Sequence, residues 1–308
     1  VRNDALWRHS RHWLNVRPVY AFGRWVLENL PLFVGYGITR GVTETAYRFS
    51  PDPRRALTGN VRQVLRATRP GLAPEQIEHL LRPLVHRIFV NRGVWFADLS
   101  VMAGRRRLEG LFRFELEGNW RALLRARAQG RGAILASAHL GNWHAGSVVV
   151  GRQGIPVRAV MYHNHASDSM DRGVARRGGV RRTFVEPDPT AMIEVVRALR
   201  GGEIVAVLAD KPWDSRSVSV PFFGRPSRFP IGPARIARLA EVPIFPAFCL
   251  WDRPREYRAV LCDPLEVRGS DPEAAEREAL AAFARILERF VADHLPVWFN
   301  FTPAWEEP

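Results

Sequence analysis

Two polar residues stand where apolar runs end: His139 follows residues 133–138, and Asp210 follows residues 204–209. If both runs are strands of one open α/β sheet, both side chains project at the edge where such sheets bind ligands, outside the carboxyl ends of the strands. A carboxylate beside an imidazole holds one ring tautomer and stabilises imidazolium, which leaves the other ring nitrogen to take a proton from a nucleophilic hydroxyl. Residues of these types at strand ends also serve simply as helix caps, and spacing alone does not separate the two roles.

Other chemistries fit less well. His139, His144, His163 and His165 crowd one stretch, and His163-Asn164-His165 superficially resembles a nuclease motif. However, His139 and His144 are not at the i, i+4 spacing of a zincin pair, and no Glu follows the first His, so no metal site is expected. There is no G-x-S-x-G elbow, no P-loop, and no G-x-G-x-x-G after a strand, so no cofactor is expected either.

The elements that must position His139 and Asp210 are legible as texture. Residues 5–104 read as helical, with turn signals at Pro51-Asp52-Pro53 and Arg69-Pro70-Gly71 and a long periodic segment over 74–102. After Arg105-Arg106-Arg107, strand-like runs alternate with helical ones. Strands are expected at 133–138, 156–161, 183–185, 204–209 and 244–250, and helices at 142–152, 167–177, 233–240 and 272–294. A further helix begins near Asp188, a cap, and Pro189, a first-turn residue, and carries Met192, Val195, Val196 and Leu199 on one face. This alternation implies an α/β fold with a mostly parallel central sheet flanked by helices. The division expected is an N-terminal helical, membrane-interface region over 1–104 and an α/β core over 105–308, integrated as one domain.

Composition narrows the class. The chain has 308 residues, 46% hydrophobic and 25% charged, with ten Trp and seventeen Phe, enough apolar material to build a large core. Lys plus Arg number 45 against 31 Asp plus Glu, a net charge of +14, and Lys211 is the single lysine. Such a surface suits nucleic acid, anionic membrane or phosphorylated ligands. Cys249 and Cys262 sit in strand-like runs and read as buried thiols in a reducing compartment. No stretch reaches the length of a transmembrane helix, and no signal peptide is expected. Residues 18–39 are rich in aromatics but broken by Arg24, Glu28 and Pro31, a pattern that fits either an element lying in a membrane interface or a pair of core helices. The segment Val220-Pro221-Phe222-Phe223-Gly224-Arg225-Pro226 reads as a Pro/Gly-rich loop with exposed-looking aromatics. Its Phe pair either plugs the core or shapes a wall for an apolar ligand.

Five motifs then occur in order: Ala138-His139-Leu140-Gly141-Asn142-Trp143-His144, Ala209-Asp210-Lys211, Pro221-Phe222-Phe223-Gly224, Gly232-Pro233-Ala234 and Trp298-Phe299-Asn300-Phe301. Together they resemble the lipid A biosynthesis acyltransferase family, which includes lauroyl and myristoyl acyltransferases of lipid A and phosphatidylinositol mannoside acyltransferases, within the wider lysophospholipid acyltransferase group. The resemblance spans about residues 15–305. It implies a glycerol-3-phosphate acyltransferase-like core with an N-terminal helical membrane-docking region. It also implies a peripheral or monotopic enzyme at the cytoplasmic face of the inner membrane, moving an acyl chain from acyl-CoA or acyl-carrier protein to a lipid acceptor hydroxyl without a covalent intermediate.

Carried onto this chain, the resemblance makes His139 the general base of an H-x4-D/E motif and Asp210 the carboxylate that polarises it. The acidic position of that motif is His144 here, a departure. His144 and Asn142 are then candidates for acceptor binding or for holding the catalytic pair. Phe222, Phe223 and Gly224 match a substrate-wall segment. Arg176, Arg177, Arg181 and Arg182 either meet phosphates of donor or acceptor or form a solvated basic face. The partners expected are donor, lipid acceptor and an anionic membrane surface, with no nucleic acid. The competing readings are a lipid-binding relative that has lost catalysis and a basic nucleic-acid binder, whose affinity would fall steeply with salt.

Overall fold

The computed structural model describes residues 16–162, 167–185, 190–212 and 216–305. Four helices come first: α1 (Arg17–Asn29), α2 (Leu32–Phe49), α3 (Pro51–Thr68) and α4 (Pro74–Ala103). Proline opens α1, α3 and α4 near the first helical position, where its missing N–H leaves no bond unmade.

The alternating part follows as β1 (Arg113–Gly118), α5 (Trp120–Ala128), β2 (Ala133–Ser137), α6 (Trp143–Arg152), β3 (Val157–Met161), α7 (Asp168–Arg177), β4 (Val180–Phe184), α8 (Ala191–Arg200) and β5 (Ile204–Leu208). A hairpin of β6 (Ser217–Phe222) and β7 (Arg225–Pro230) leads to α9 (Gly232–Ala240), β8 (Ile244–Arg253), β9 (Glu256–Leu261), α10 (Pro272–Asp293) and a 3₁₀ turn, Leu295–Val297.

Seven strands form one sheet in the order β1-β9-β8-β2-β5-β3-β4. It is parallel except where β9 runs against β8. Side chains alternate across β2 as the pleat requires: Ile134 and Ala136 enter the main core, while Ala133 and Leu135 enter a smaller one with Leu123 of α5. The main core is continuous from Leu27 and Leu57 of the N-terminal helices to Phe283 and Leu287 of α10.

The elements depart from sequence expectation in specific places. The strand expected at 183–185 begins earlier, at Val180, because its register on β3 starts at Val157. The Pro/Gly-rich loop is a two-stranded hairpin, with Pro221 paired to Pro226. Its aromatics are not exposed: Phe222 and Phe223 are buried against Trp305, and Phe222 also meets Phe229 and Trp298. The proposed cap at Asp188-Pro189 and the His163-Asn164-His165 triplet lie outside the described residues.

One carboxylate sits deep in the join between helices and sheet. Asp98 of α4, 0% exposed, accepts hydrogen bonds from the Tyr36 and Tyr257 hydroxyls and from the Arg255 backbone N–H. Burial pushes its pKa up from 3.8 to about 6, although these three donors oppose the rise. A raised carboxyl pKa means the folded state holds a proton that the unfolded state has released, so stability falls as pH rises from about 4 to about 6. The contribution is on the order of 2–3 kcal/mol at 1.36 kcal/mol per unit. Denaturant melts of wild type and Asp98→Asn between pH 4 and 7 are expected to show wild type losing stability relative to the variant across that window. A pH-independent difference would refute this account.

Candidate active site

The site forms where β2 and β5 end side by side, Ser137 opposite Leu208. Ala209 N–H donates to the Ser137 carbonyl at 2.8 Å, so the two chains stay paired one step beyond the strands. Asp210 then accepts twice from His139: the backbone N–H reaches Oδ2 at 2.9 Å and ring Nδ1 reaches Oδ1 at 2.9 Å. The Asp210 side chain is 3% exposed and that of His139 is 16% exposed. Burial raises the Asp210 pKa, but the charge of His139 and its two hydrogen bonds outweigh it and hold the carboxyl below its usual range. An ionised carboxylate accepting at Nδ1 keeps a proton there, so that in the neutral ring Nε2 is the proton acceptor and the imidazolium formed on proton uptake is stabilised. Lys211, next in the chain, is pulled down to about 8 by burial, against the opposing charge of Asp210.

The turn after His139 is held from both sides. The His139 carbonyl accepts from Phe299 N–H at 2.7 Å, Gly141 N–H donates to Val297 at 2.9 Å, and Asn142 N–H donates to Cys249 at 2.7 Å. Gly141 has φ of 65°, and a Cβ there would stand 2.1 Å from the Cys249 carbonyl oxygen, so only glycine fits. Asn142, fully buried, caps α6 by accepting from Ala145 N–H at 3.1 Å, while its amide donates to the Tyr257 hydroxyl at 3.1 Å. Both ends of Asn142 are therefore engaged by the protein itself.

His144, in the first turn of α6, has a carboxylate partner that sequence spacing did not reveal. Its Nε2 lies 3.0 Å from Asp171 Oδ1 on α7, and Ser167 Oγ donates to Asp171 Oδ2 at 2.7 Å. Trp143 packs between the two histidines, its ring centre 5.1 Å from that of His139 and 5.3 Å from that of His144. Asp171 left no signal beyond being an acid in a helix first turn, because the α6–α7 packing that joins the pair is tertiary.

The family model for bacterial lipid A biosynthesis acyltransferases matches residues 2–307. The chain belongs to this family. A phosphatidylinositol mannoside acyltransferase of Mycobacterium tuberculosis is 28% identical over 192 residues, 58% of this chain and 56% of the relative. One from Mycolicibacterium smegmatis is 28% identical over 222 residues, 67% of this chain and 66% of that protein. The aligned part thus spans little more than half the length of the tuberculosis relative.

Set against the family's H-x4-D/E motif, this acyltransferase-family chain has two imidazole–carboxylate pairs where the motif would place one acid beside one base. The remaining expected residues are dispersed. Phe222 and Phe223 lie in the core under the hairpin, with Gly224 at its turn. Arg177 donates to the carbonyls of Gly104 and Arg106 at the C-terminal end of α4, an end that favours a cation. Arg182 binds Asp168 at 2.8 Å, Arg181 lies 3.5 Å from Glu203, and Arg176 is exposed.

Because both members are enclosed, the His144–Asp171 pair is expected to couple. A double-mutant cycle with His144→Ala and Asp171→Ala, read by denaturant unfolding, should give an interaction energy within about 0.5–3 kcal/mol. Strictly additive losses would show that the two side chains do not act together.

Proposed function

We propose that the protein is a membrane-surface O-acyltransferase that moves a fatty acyl chain from acyl-CoA or acyl-carrier protein to a hydroxyl of a glycolipid or lysophospholipid. The observation that carries this is the Asp210–His139 contact at 2.9 Å, which leaves Nε2 as a base at the carboxyl edge of the sheet. Nε2 takes the proton of the acceptor hydroxyl as its oxygen attacks the thioester carbonyl. The tetrahedral intermediate collapses with cleavage of the C–S bond, and the proton passes from imidazolium to the departing thiolate. The ester forms with no acyl-enzyme. Asp210 keeps the ring in the required tautomer and offsets the imidazolium charge.

Family membership and the names of the relatives support acyl transfer to a lipid. In this reading residues 105–308 carry the chemistry and residues 1–104 meet the membrane. Supporting that division, Phe22 and Trp25 on α1 are 60% and 55% exposed, and Phe33 and Phe49 on α2 are 78% and 72% exposed. Arg40 and Arg48 stand exposed on the same α2 helix. Among the described residues no helix is long and apolar enough to cross a membrane. Exposed aromatics beside arginines suit an element lying in the interface of an anionic bilayer.

Acyl transfer from labelled acyl-CoA and acyl-carrier protein into a panel of lipid acceptors tests the chemistry. His139→Ala is expected to lower turnover about 10²- to 10⁴-fold with the fold intact, and Asp210→Asn to lower it through the wrong tautomer. Wild-type turnover in folded His139→Ala would exclude it as the base.

Vesicle sedimentation tests the docking region. The double variant Trp25→Glu, Phe33→Glu should bind phosphatidylglycerol-containing vesicles at least about tenfold more weakly, since burying one large apolar side chain is worth about 1.5–3 kcal/mol. Undiminished binding would remove these helices from the membrane contact.

A further inference from the structure

Arg92 of α4 lies under the site and outside every motif discussed so far. Its guanidinium carbon is 3.5 Å from the centre of the Trp95 ring and 5.8 Å from that of Phe299, and the Tyr20 hydroxyl of α1 lies beside it. Burial pulls its pKa down to about 10, with Tyr20 opposing the fall. Three other half-buried guanidinium groups have a carboxylate, Arg158 with Glu203, Arg182 with Asp168 and Arg238 with Glu276, while Arg106 and Arg177 have backbone carbonyls. Arg92 has neither among the described residues: its contacts are the two rings and the Tyr20 hydroxyl. Withdrawing a cation from water without a counter-ion is costly, and such groups are normally paired.

A second observation points the same way. The indole N–H of Trp95, the ring on which the guanidinium stacks, is buried with no acceptor among the described residues. Buried donors are rarely left unpaired, and this one belongs to the ring stacked on a guanidinium whose own acceptor is the neutral Tyr20 hydroxyl rather than a carboxylate. Arg92 is half-buried rather than fully enclosed. It is also close to the reacting centre. The Trp95 ring packs on Trp143 at 5.1 Å, Trp143 packs on His139 at 5.1 Å, and Phe299 N–H donates to the His139 carbonyl.

We propose that Arg92 is a phosphate-binding residue that seats a substrate of the transfer reaction beside His139. The inference rests on the acyltransferase reading. A phosphate oxyanion accepts both hydrogen bonds of the guanidinium fork and supplies the missing counter-charge, while the Trp95 ring keeps the fork in plane. Two substrates could bring it: the phosphates of the thioester donor or the phosphodiester of a lipid acceptor.

The full chain carrying Arg92→Gln, Arg92→Lys or His139→Ala decides this, with folding checked by circular dichroism melts. KM and kcat are measured separately for acyl-CoA and for lipid acceptor. Binding is measured for free CoA by calorimetry and for phosphatidylinositol in phosphatidylcholine vesicles by sedimentation. Arg92→Gln should raise KM for one substrate, and weaken binding of the matching probe, by about tenfold or more, the loss of a charged hydrogen-bonded pair, with kcat within about threefold. The probe that responds names the source of the phosphate. His139→Ala should bind both probes as wild type does while losing turnover.

If Arg92→Gln does not fold, Arg92→Lys carries the test, because a lysine keeps the charge and loses the fork. A KM rise of about threefold supports the site, and unchanged KM for both substrates overturns it. Folded Arg92→Gln with both KM values and both bindings unchanged also overturns it, while leaving acyl transfer intact. A wild type that transfers no acyl chain overturns the acyltransferase reading and this inference with it.

Discussion

The carboxylate of Asp210 accepting from both the backbone and the ring of His139 is the interaction on which the site depends. It exists because β2 and β5 are adjacent and parallel and end in register, so the residues that follow them leave the sheet together. The turn after His139 has little freedom to drift. Its backbone is bonded to the strand-like return near Val297–Phe299 on one side and to β8 on the other. Gly141 is required by that confinement, since the left-handed backbone and the Cys249 carbonyl both exclude a side chain. The turn that carries the imidazole is thus held by the main chain of two distant segments before its carboxylate partner is considered.

From this turn a chain of polar contacts runs outward to the N-terminal helices. Asn142 donates to Tyr257, Tyr257 donates to Asp98, and Tyr36 on α2 donates to the same carboxylate. Burying a carboxyl group is unfavourable, as the upward shift of Asp98 shows, yet its three donors leave it well satisfied. The same junction is reinforced by cations at helix ends. Arg106 donates to the Leu27 and Leu30 carbonyls at the end of α1, and Arg177 donates to Gly104 beyond α4. Part of the arginine excess therefore closes helix termini inside the molecule, and net charge alone is a poor guide to which arginines face a ligand.

The two imidazole–carboxylate pairs show how a departure from a family motif can be absorbed. Where the motif has an acid, His144 instead reaches Asp171 on the neighbouring helix, with Ser167 completing the carboxylate's hydrogen bonds. The aromatic wall of Trp95 and Trp143 separates this pair from Arg92 and from His139. The polar groups of the site are thus spaced by aromatic rings.

Much of this was legible in the residues. Alternating apolar runs and helical faces announced a mostly parallel sheet, and His139 and Asp210 stood at strand ends that the topology made neighbours. Local pattern reports which residues a strand or helix buries, because the periods of 2 and 3.6 are properties of the backbone itself. It does not report which elements touch. The hairpin at 217–230 was hidden because its prolines and glycine signal a turn whether or not the flanks pair, and the burial of Phe222 and Phe223 came from the distant Trp298 and Trp305. Asp171, Asp98, Tyr257 and Arg92 were invisible for the same reason: each gains its role from a side chain on another element. The sequence by itself determined the α/β alternation and many of its elements, the family and the strand-end pair. Only the tertiary structure decided which buried charges found partners, because desolvation and pairing depend on distances that no one-dimensional spacing encodes.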